Sequence, residues 1–180
     1  MRDIAYLTTA RLVLRPLYHD DAEAIVAGVG NYDVAKWLAV VPFPYDHGDA
    51  EAFLTSSAAE PRRAWAICDA DGLCGVISAQ DELGYWLARP VWGRGYGREA
   101  AEAARDAAFA DPTRKQLSVS HMVGNHRSER LIRSLGFRPV GTTRRRFRAL
   151  GQDADTALYE MTRADWRRLR RTEQQGRATT

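Results

Sequence analysis

The sequence predicts an α+β fold with a mixed, mostly antiparallel central sheet and helices on both faces. Short β-rich segments follow one another closely between residues 64 and 87, which is typical of an antiparallel meander. An alanine-rich helical segment then links the strand at 82–87 to an alternating strand at 116–123, as in one parallel crossover. No internal repeat or long linker divides the chain of 180 residues, which favours a single domain over residues 1–166.

The first part of the chain predicts one strand and three short helices. Residues 11–17 are rich in β-formers and predict a strand that stops at its proline. An acidic helix start follows at 19–23, and Asn31 is placed to cap a second helix. Both prolines of segment 41–45 exclude helix, so this segment is predicted to be an extended loop, and residues 46–54 predict a third helix.

The helix that opens near Arg98 is predicted to end before Pro112 and to pack closely on the sheet. Its small face is predicted to point inward and its charged face outward. The inward residues are Ala100, Ala101, Ala104, Ala107 and Ala108, and the outward residues are Glu99, Glu102, Arg105 and Asp106.

Cap and turn signals delimit the last third of the chain. Ser128 is placed to cap a short helix that Gly136 ends. A final pair of strands is predicted at 137–148 and 156–162, and the Thr-Arg-Ala-Asp sequence that follows is typical of a capping box. The basic, polar tail at 167–180 is expected to fray.

Composition places the chain among soluble globular proteins, with 45% hydrophobic residues, 27% charged residues and a net charge of +3. Basic clusters at 144–148 and 167–171 are interpreted as solvated surface and not as a nucleic-acid site. Cys68 and Cys74 are expected to be reduced thiols of a cytoplasmic protein. Neither a signal peptide nor a membrane span is expected, because no apolar run is long enough.

The most informative motif lies in the stretch 89–109. Glycines at 93, 95 and 97 remove every second Cβ, so backbone N–H groups can face a ligand. The helix that follows adds its unpaired N-terminal amides and the positive end of its dipole. Strand, glycine turn and helix start together predict a site for a phosphate-bearing anion.

Two other anion-binding motifs fit this stretch less well. Residues 95–100 match the Rossmann pattern G-x-G-x-x-A, but that fold needs the motif after its first strand and an acidic residue at the end of the next. Here three strands precede the motif, and the next strand ends in Ser-His-Met. The Gly-Lys-Ser/Thr of a P-loop is absent. A Rossmann-type oxidoreductase is therefore the least favoured interpretation.

The chain resembles the GNAT N-acetyltransferases. The last four positions of 92–97 satisfy the acetyl-CoA motif (Gln/Arg)-x-x-Gly-x-(Gly/Ala) of that superfamily. Segment 125–137 is similar to its Asn-x-x-Ser…Leu-Gly-Phe segment, and residues 9–16 resemble the opening strand of the branch that contains the ribosomal-protein N-terminal acetyltransferases. The resemblance runs over residues 8–166 in the expected order.

This resemblance implies an acetyl-CoA-dependent N-acetyltransferase of GNAT fold that needs no metal. Its two parallel strands are expected to splay and bind acetyl-CoA between them, and a primary amine would attack the thioester directly in a ternary complex. A protein or peptide N-terminal amine is the expected acceptor. The alternatives are a small-molecule amine (polyamine, amino acid or antibiotic) and a non-catalytic module that binds CoA or a peptide. No nucleic acid or membrane partner is expected, and a homodimer is left undecided.

The resemblance also implies the residues that contact the cofactor. The motif asks for Gln or Arg where this chain has Trp92, so any contribution there must come from backbone or stacking, and the alternative is a plug over the helix start. Asn125 is expected to contact the cofactor, with simple capping as its alternative. A strand amide near Leu87 is expected to polarise the thioester carbonyl. The implied cofactor-binding residues are Trp86, Leu87, Ala88, Trp92, Gly93, Arg94, Gly95, Tyr96, Gly97, Arg98, Asn125 and Ser128.

Four residues are candidates for the proton transfers, one as the acid and three as the base. Ser128 is the candidate to protonate the departing thiolate, because Ile132 stands where many members carry a tyrosine. Glu82 is the first candidate for the general base, since it begins the strand that carries the thioester. His121 ranks behind Glu82, and Asp81 ranks last. The expected substrate pocket includes Trp37, Tyr45 and Tyr85.

Overall fold

The computed structural model describes residues 6–59, 64–80 and 82–178. Within these residues, eight strands form one sheet in the order β1-β2-β3-β4-β5-β6-β8-β7. The strands are β1 (Leu7–Thr8), β2 (Val13–Pro16), β3 (Ala64–Asp69), β4 (Gly72–Ala79), β5 (Glu82–Leu87), β6 (Gln116–Met122), β7 (Arg138–Phe147) and β8 (Gln152–Thr162).

Six α-helices connect or follow these strands. Asn31 caps the second helix as predicted, because its side chain accepts a hydrogen bond from the Asp33 N–H at 2.9 Å. The predicted capping box also forms: the Asp165 carboxylate accepts from the Thr162 N–H, and Thr162 Oγ1 accepts from the Asp165 N–H. The helices are α1 (Ala22–Val29), α2 (Tyr32–Ala35), α3 (His47–Ala59), α4 (Tyr96–Ala110), α5 (His126–Ser134) and α6 (Arg163–Ala178).

One strand pair in the sheet is parallel. β5 and β6 pair only through Glu82 with Ser118 and Leu83 with Val119. β5 continues to Leu87 and β6 to Met122, yet no further pair joins them in the described part of the chain. All other neighbouring strands are antiparallel. The predicted fold class, including the splayed parallel pair, is confirmed.

Helices cover both faces of the sheet. On one face, the small residues Ala100, Ala101, Ala104 and Ala108 of α4 are buried against the sheet, as predicted. On the other face, α1 and α3 pack with Val76 of β4 and Trp86 of β5. The gap where β5 and β6 separate, which we call the splay, therefore lies between two hydrophobic cores. We call the sides of the sheet that carry these cores the α4 face and the α1/α3 face.

The prediction that Arg105 faces outward is wrong. Its side chain is 1% exposed. Its guanidinium contacts Asp106 at 2.9 Å and donates to the Leu135 carbonyl at 3.0 Å, and it lies 3.7 Å from the Glu173 carboxylate. Arg105 is buried because α6 covers this flank of α4, which the helical periodicity of α4 does not reveal.

The tail that is expected to fray from residue 167 belongs to α6, which extends to Ala178. Trp166 stacks on Phe109 with ring centroids 5.4 Å apart and donates to Asp106 at 2.8 Å. Arg170 pairs with the same carboxylate at 3.0 Å. These contacts attach the helix to α4, and a polar composition does not predict them.

Two further observations concern the described residues. Cys68 and Cys74 are both free thiols, and burial raises the pKa of Cys74 to about 11. Among the helices described, none is both long enough and apolar enough to cross a membrane.

Candidate active site

A cavity of about 980 Å³ passes through the splay and is lined from both faces of the sheet. Alternation along β5 decides which side chain lies where. Leu83, Tyr85 and Leu87 belong to the α4 face, whereas Trp86 packs on the α1/α3 face. Glu82 shares the parity of Trp86 and therefore lies on the α1/α3 side. The candidate residues on β5 are thus divided between two sides of one cavity.

The backbone of β5 presents only alternate amides to the splay. The Ala88 N–H donates to the Cys74 carbonyl of β4 at 2.8 Å, and the Ala88 carbonyl accepts from Val91. In an antiparallel pair, alternate residues point both backbone groups at the partner strand, so the Trp86 amide also faces β4 and the Leu87 N–H faces the splay. Leu87, like Tyr85, is therefore a strand residue whose N–H can donate to a ligand, whereas the Ala88 N–H is already bonded to β4.

The side chain of Trp92 hydrogen-bonds to the backbone carbonyl of Leu87. Its indole Nε1 donates to the Leu87 carbonyl at 2.8 Å. The guanidinium groups of Arg89 and Arg127 lie 4.7 and 4.5 Å from the indole ring, within cation–π range. Trp92 also packs in the α1/α3 core. Trp92 thus orders the end of β5 and contacts two arginines beside the cavities.

Two glycines of the turn adopt a backbone conformation that residues with side chains rarely adopt. Gly93 and Gly95 adopt positive φ values of 81° and 80°, which side chains disfavour. α4 begins at Tyr96, two residues before the predicted start, with Gly95 as an N-cap that offers no side-chain hydrogen bond. The first amides of α4 therefore have no side-chain cap, as an anion site requires.

The two arginines of this turn are held by neighbouring groups. The Arg94 carbonyl accepts from Arg11 at 2.8 Å, and Arg11 also forms an ion pair with Glu99 at 2.7 Å. Arg98 pairs with Glu102 at 2.9 Å on the exposed surface of α4. Sequence reasoning missed Arg11, which ties the start of the chain to the glycine turn across a separation that no local pattern reveals.

Ser128 is not the N-cap that the sequence predicted. α5 begins at His126, and the cap is Asn125, whose side-chain oxygen accepts from the Ser128 N–H at 3.2 Å. The Ser128 hydroxyl is thereby freed to bond Tyr85, with the two oxygens 2.7 Å apart. Burial raises the pKa of Tyr85 to about 12, against the lowering effect of this hydrogen bond. The pair joins β5 to α5 on the α4 face of the cavity.

Glu82 belongs to a polar cluster on the opposite side of the cavity. The Ser120 hydroxyl donates to Glu82, and Arg145 Nη1 lies 3.2 Å from the Glu82 carboxylate and 3.0 Å from Ser120 Oγ. Sequence reasoning assigned Arg145 to a basic surface cluster. Alternation along β7 was the available signal, since it separates Arg145 from Arg144 and Arg146, which pair with Asp155 and Asp153.

His121 is 7% exposed and is held by two contacts. Its Nε2 lies 3.3 Å from the Tyr159 hydroxyl, and its Nδ1 lies 2.9 Å from the Met122 carbonyl. His121 lines the cavity but has the parity of Val119, which packs on the α4 face. The structure therefore does not bring His121 together with Glu82. Asp81 lies outside the described residues.

The two loop aromatics predicted for the substrate pocket, Trp37 and Tyr45, both line the cavity. Burial raises the pKa of Tyr45 to about 12. Trp37 also borders a second cavity of about 470 Å³, which is rich in basic side chains. The basic residues of this second cavity are Lys36, Arg89, His126, Arg127 and Arg130. No group of three or more His, Cys, Asp or Glu suited to a metal ion occurs in the part of the chain that the structure describes.

Comparison with known proteins agrees with this geometry. The family model described as an acetyltransferase (GNAT) domain matches residues 11–138. The chain is 24% identical over 173 residues to YdaF from Bacillus subtilis (strain 168), which its name proposes to be a ribosomal N-acetyltransferase, covering 86% of this chain and 93% of that one.

Two solved structures share the fold. Ribosomal-protein-S5-alanine acetyltransferase from Vibrio fischeri superposes with a TM-score of 0.77 at 17% identity, over 90% of this chain and 98% of its own. The microcin C7 self-immunity acetyltransferase MccE, solved in complex with acetyl-CoA and AMP, superposes with a TM-score of 0.72 at 18% identity, over 85% of this chain and 93% of its own.

Proposed function

The chain belongs to the GNAT acetyltransferase family, and from this premise we propose that it moves the acetyl group of acetyl-CoA directly to the α-amine of a peptide or protein. One observation carries the proposal: the glycine turn at 93–97 and the Tyr85–Ser128 hydroxyl pair line the same cavity through the splay. An anion site and a proton donor at one strand end are what thioester transfer requires.

The cofactor side of this proposal rests on backbone groups. The uncapped amides at the start of α4 would hold the pyrophosphate, since helix N-termini favour anions. Asn125, Arg127 and Arg130 line both cavities and border the same region with polar and positive groups. That MccE is solved with acetyl-CoA supports acetyl-CoA as the ligand. A Glu or Asp side chain in the glycine turn would fill this anion site.

The chemical step would use both sides of the cavity. The Leu87 N–H would donate to the thioester carbonyl oxygen as negative charge develops there. Ser128, hydrogen-bonded to Tyr85, would donate a proton to the departing thiolate sulfur. Glu82 would take a proton from the acceptor's ammonium group on the α1/α3 side, and the neutral amine so formed would attack the thioester carbon. Acid and base groups would thus approach the reacting carbon from opposite faces of the sheet.

A peptide or protein amine is the proposed acceptor, and it rests on relatives. The name of YdaF proposes a ribosomal acceptor, and the S5-alanine acetyltransferase of Vibrio fischeri shares the fold. A polyamine, an amino acid or an antibiotic amine is the alternative acceptor for the same site.

The test is release of free CoA from acetyl-CoA with a panel of N-terminal peptides and small amines. Peptide-dependent release supports the proposal, whereas release with small amines alone moves the acceptor to that class. Thermal stabilisation by CoA without release for any amine would indicate a binding module. Stabilisation by NAD and not by CoA would contradict the assignment altogether.

A further inference from the structure

We propose that the acceptor presents its amine next to a bulky apolar side chain, which occupies the α1/α3 end of the cavity. This inference rests on the proposed function and names the acceptor class for it. We call this end of the cavity the acceptor chamber. It is lined by residues of helices α1 to α3, of the loop that follows α2, and of strand β7. Its lining includes Val34, Leu38, Val41, Tyr45, Phe53 and Phe147.

The acceptor chamber adjoins Glu82, the residue beside which the acceptor amine would lie. Glu82 and Ser120 line the same cavity on the α1/α3 side. An ammonium group beside the Glu82 carboxylate therefore has its substituents directed among aliphatic and aromatic side chains. Burying an apolar group there contributes about 25 cal/mol per Å², whereas a polar side chain would lose hydrogen bonds to water.

Charge in the cavity argues against an acceptor with several amines. Among the described residues, Glu82 is the one carboxylate that lines the cavity. Arg145, which contacts Glu82 and Ser120, lines this side of the cavity as well. A second ammonium group there would meet the Arg145 guanidinium instead of a carboxylate, and like charges that close repel. The chamber therefore fits one ammonium group with an apolar attachment and disfavours a polyamine.

A buried polar atom supports an occupied chamber. Within the described part of the chain, the Ser57 hydroxyl is buried and has no hydrogen-bond partner in the protein. Ser57 lines the same cavity beside Phe53. Buried polar groups are rarely left unpaired, so water or a backbone group of the peptide would pair this hydroxyl while the apolar side chain fills the rest of the chamber.

The first test measures acetylation of the tripeptide amides X-Ala-Ala, with Leu, Phe, Ala or Ser as X, and of spermidine. We expect kcat/KM for the Leu or Phe peptide to exceed that for Ala and Ser by at least about tenfold, because single methylenes in such pockets contribute that much. Equal or higher values for Ala, Ser or spermidine would overturn the inference while leaving acetyl transfer intact.

A second test separates this inference from the proposed function. Binding of the same peptides to the CoA-loaded protein is measured by calorimetry. At least about tenfold tighter binding of the Leu or Phe peptide without any turnover would support the acceptor chamber and contradict catalysis. Equal binding of all peptides, or none, would contradict the chamber whatever the turnover.

A matched pair of variants locates the effect. Val41→Ser places a hydroxyl in the chamber, and Val140→Ser makes the same change at a residue that is 53% exposed on β7 and lies outside the cavity lining. We expect V41S to lower kcat/KM for the Leu peptide about tenfold and V140S to leave it unchanged. Leu38→Ser serves as a second chamber variant if V41S does not fold. Equal effects of the chamber and control variants would refute the assignment.

Discussion

The hydroxyl oxygens of Tyr85 and Ser128 lie 2.7 Å apart and join β5 to α5 where the parallel strands separate. The contact exists because Asn125, and not Ser128, caps α5. A serine used as a cap would have turned its oxygen to a backbone N–H of its own helix. Here the hydroxyl bonds the buried Tyr85 at the edge of the cavity, which is why Ser128 is the proposed proton donor.

Ser128→Ala should lower kcat by about 100-fold or more, because proton donation to a leaving group contributes that much. The KM for acetyl-CoA should change much less, since the glycine turn remains intact. Steady-state kinetics measures both constants. Ser134→Ala is the control on the same helix, where the hydroxyl bonds only the Leu131 carbonyl. A lower melting temperature with unchanged kcat would return Ser128 to a structural role.

Tyr85 makes folding stability depend on alkaline pH. Burial raises the pKa of Tyr85 to about 12 in the folded protein, above the ordinary value of 10.0. The folded state therefore holds its proton more tightly than the unfolded state, and stability should fall as the pH rises from 10 towards 12. Tyr85→Phe should make this fall shallower in urea titrations at a series of pH values. An identical dependence of stability on pH in both proteins would show that Tyr85 ionises as readily in the folded state as in the unfolded state.

Gly95→Glu should abolish CoA binding. A residue at φ +80° is strained with any side chain, and the carboxylate would add negative charge at the start of α4. Gly151→Glu is the control, since Gly151 has φ +64° and no atom within 4 Å of an added Cβ. Calorimetric titration with CoA measures the effect. Retained affinity in G95E would refute the anion site, and lost affinity in G151E would attribute the effect to folding.

Glu82→Gln should remove the acidic limb of the pH–rate profile and lower kcat/KM about 100-fold, because an amide cannot accept the ammonium proton. The amide can still bond Ser120, so the local structure is retained. Glu51→Gln, on the exposed surface of α3, should change neither quantity. An unaltered profile in E82Q would assign the proton transfer to water or to His121.

Arg105→Ala should destabilise the protein by about 1–3 kcal/mol, because it leaves the buried Leu135 carbonyl without its hydrogen-bond donor. For a domain of this size, each kcal/mol lowers the melting temperature by about 2–4 °C. Arg133→Ala removes an exposed ion pair with Glu129 and should change stability by less than about 0.5 kcal/mol. Similar shifts in both variants would contradict the buried role of Arg105.

Local patterns sufficed for much of the fold. Alternation and turn residues predicted β3, β4 and β5, and the crossover through α4 predicted the parallel pairing of β5 with β6. The glycines of the turn required no tertiary information, because glycine is the residue type that readily adopts positive φ values, as Gly93 and Gly95 do. The fold class and the predicted anion site therefore follow from short-range chemistry that a single sequence carries, whereas the enzyme family rests on the motif resemblance and on the family match.

Contacts between distant segments decided the rest. Arg11 meets Glu99, Arg145 meets Glu82, and Arg105 is buried beneath α6, each across a separation that no repeat or period encodes. The same holds for the exchange of roles between Asn125 and Ser128, because Tyr85 must lie opposite α5 before the serine hydroxyl has a partner. Periodicity states which side of an element is apolar, but only packing states which element covers it. The sequence thus predicted the anion site, and the tertiary structure decided which polar and apolar side chains surround it.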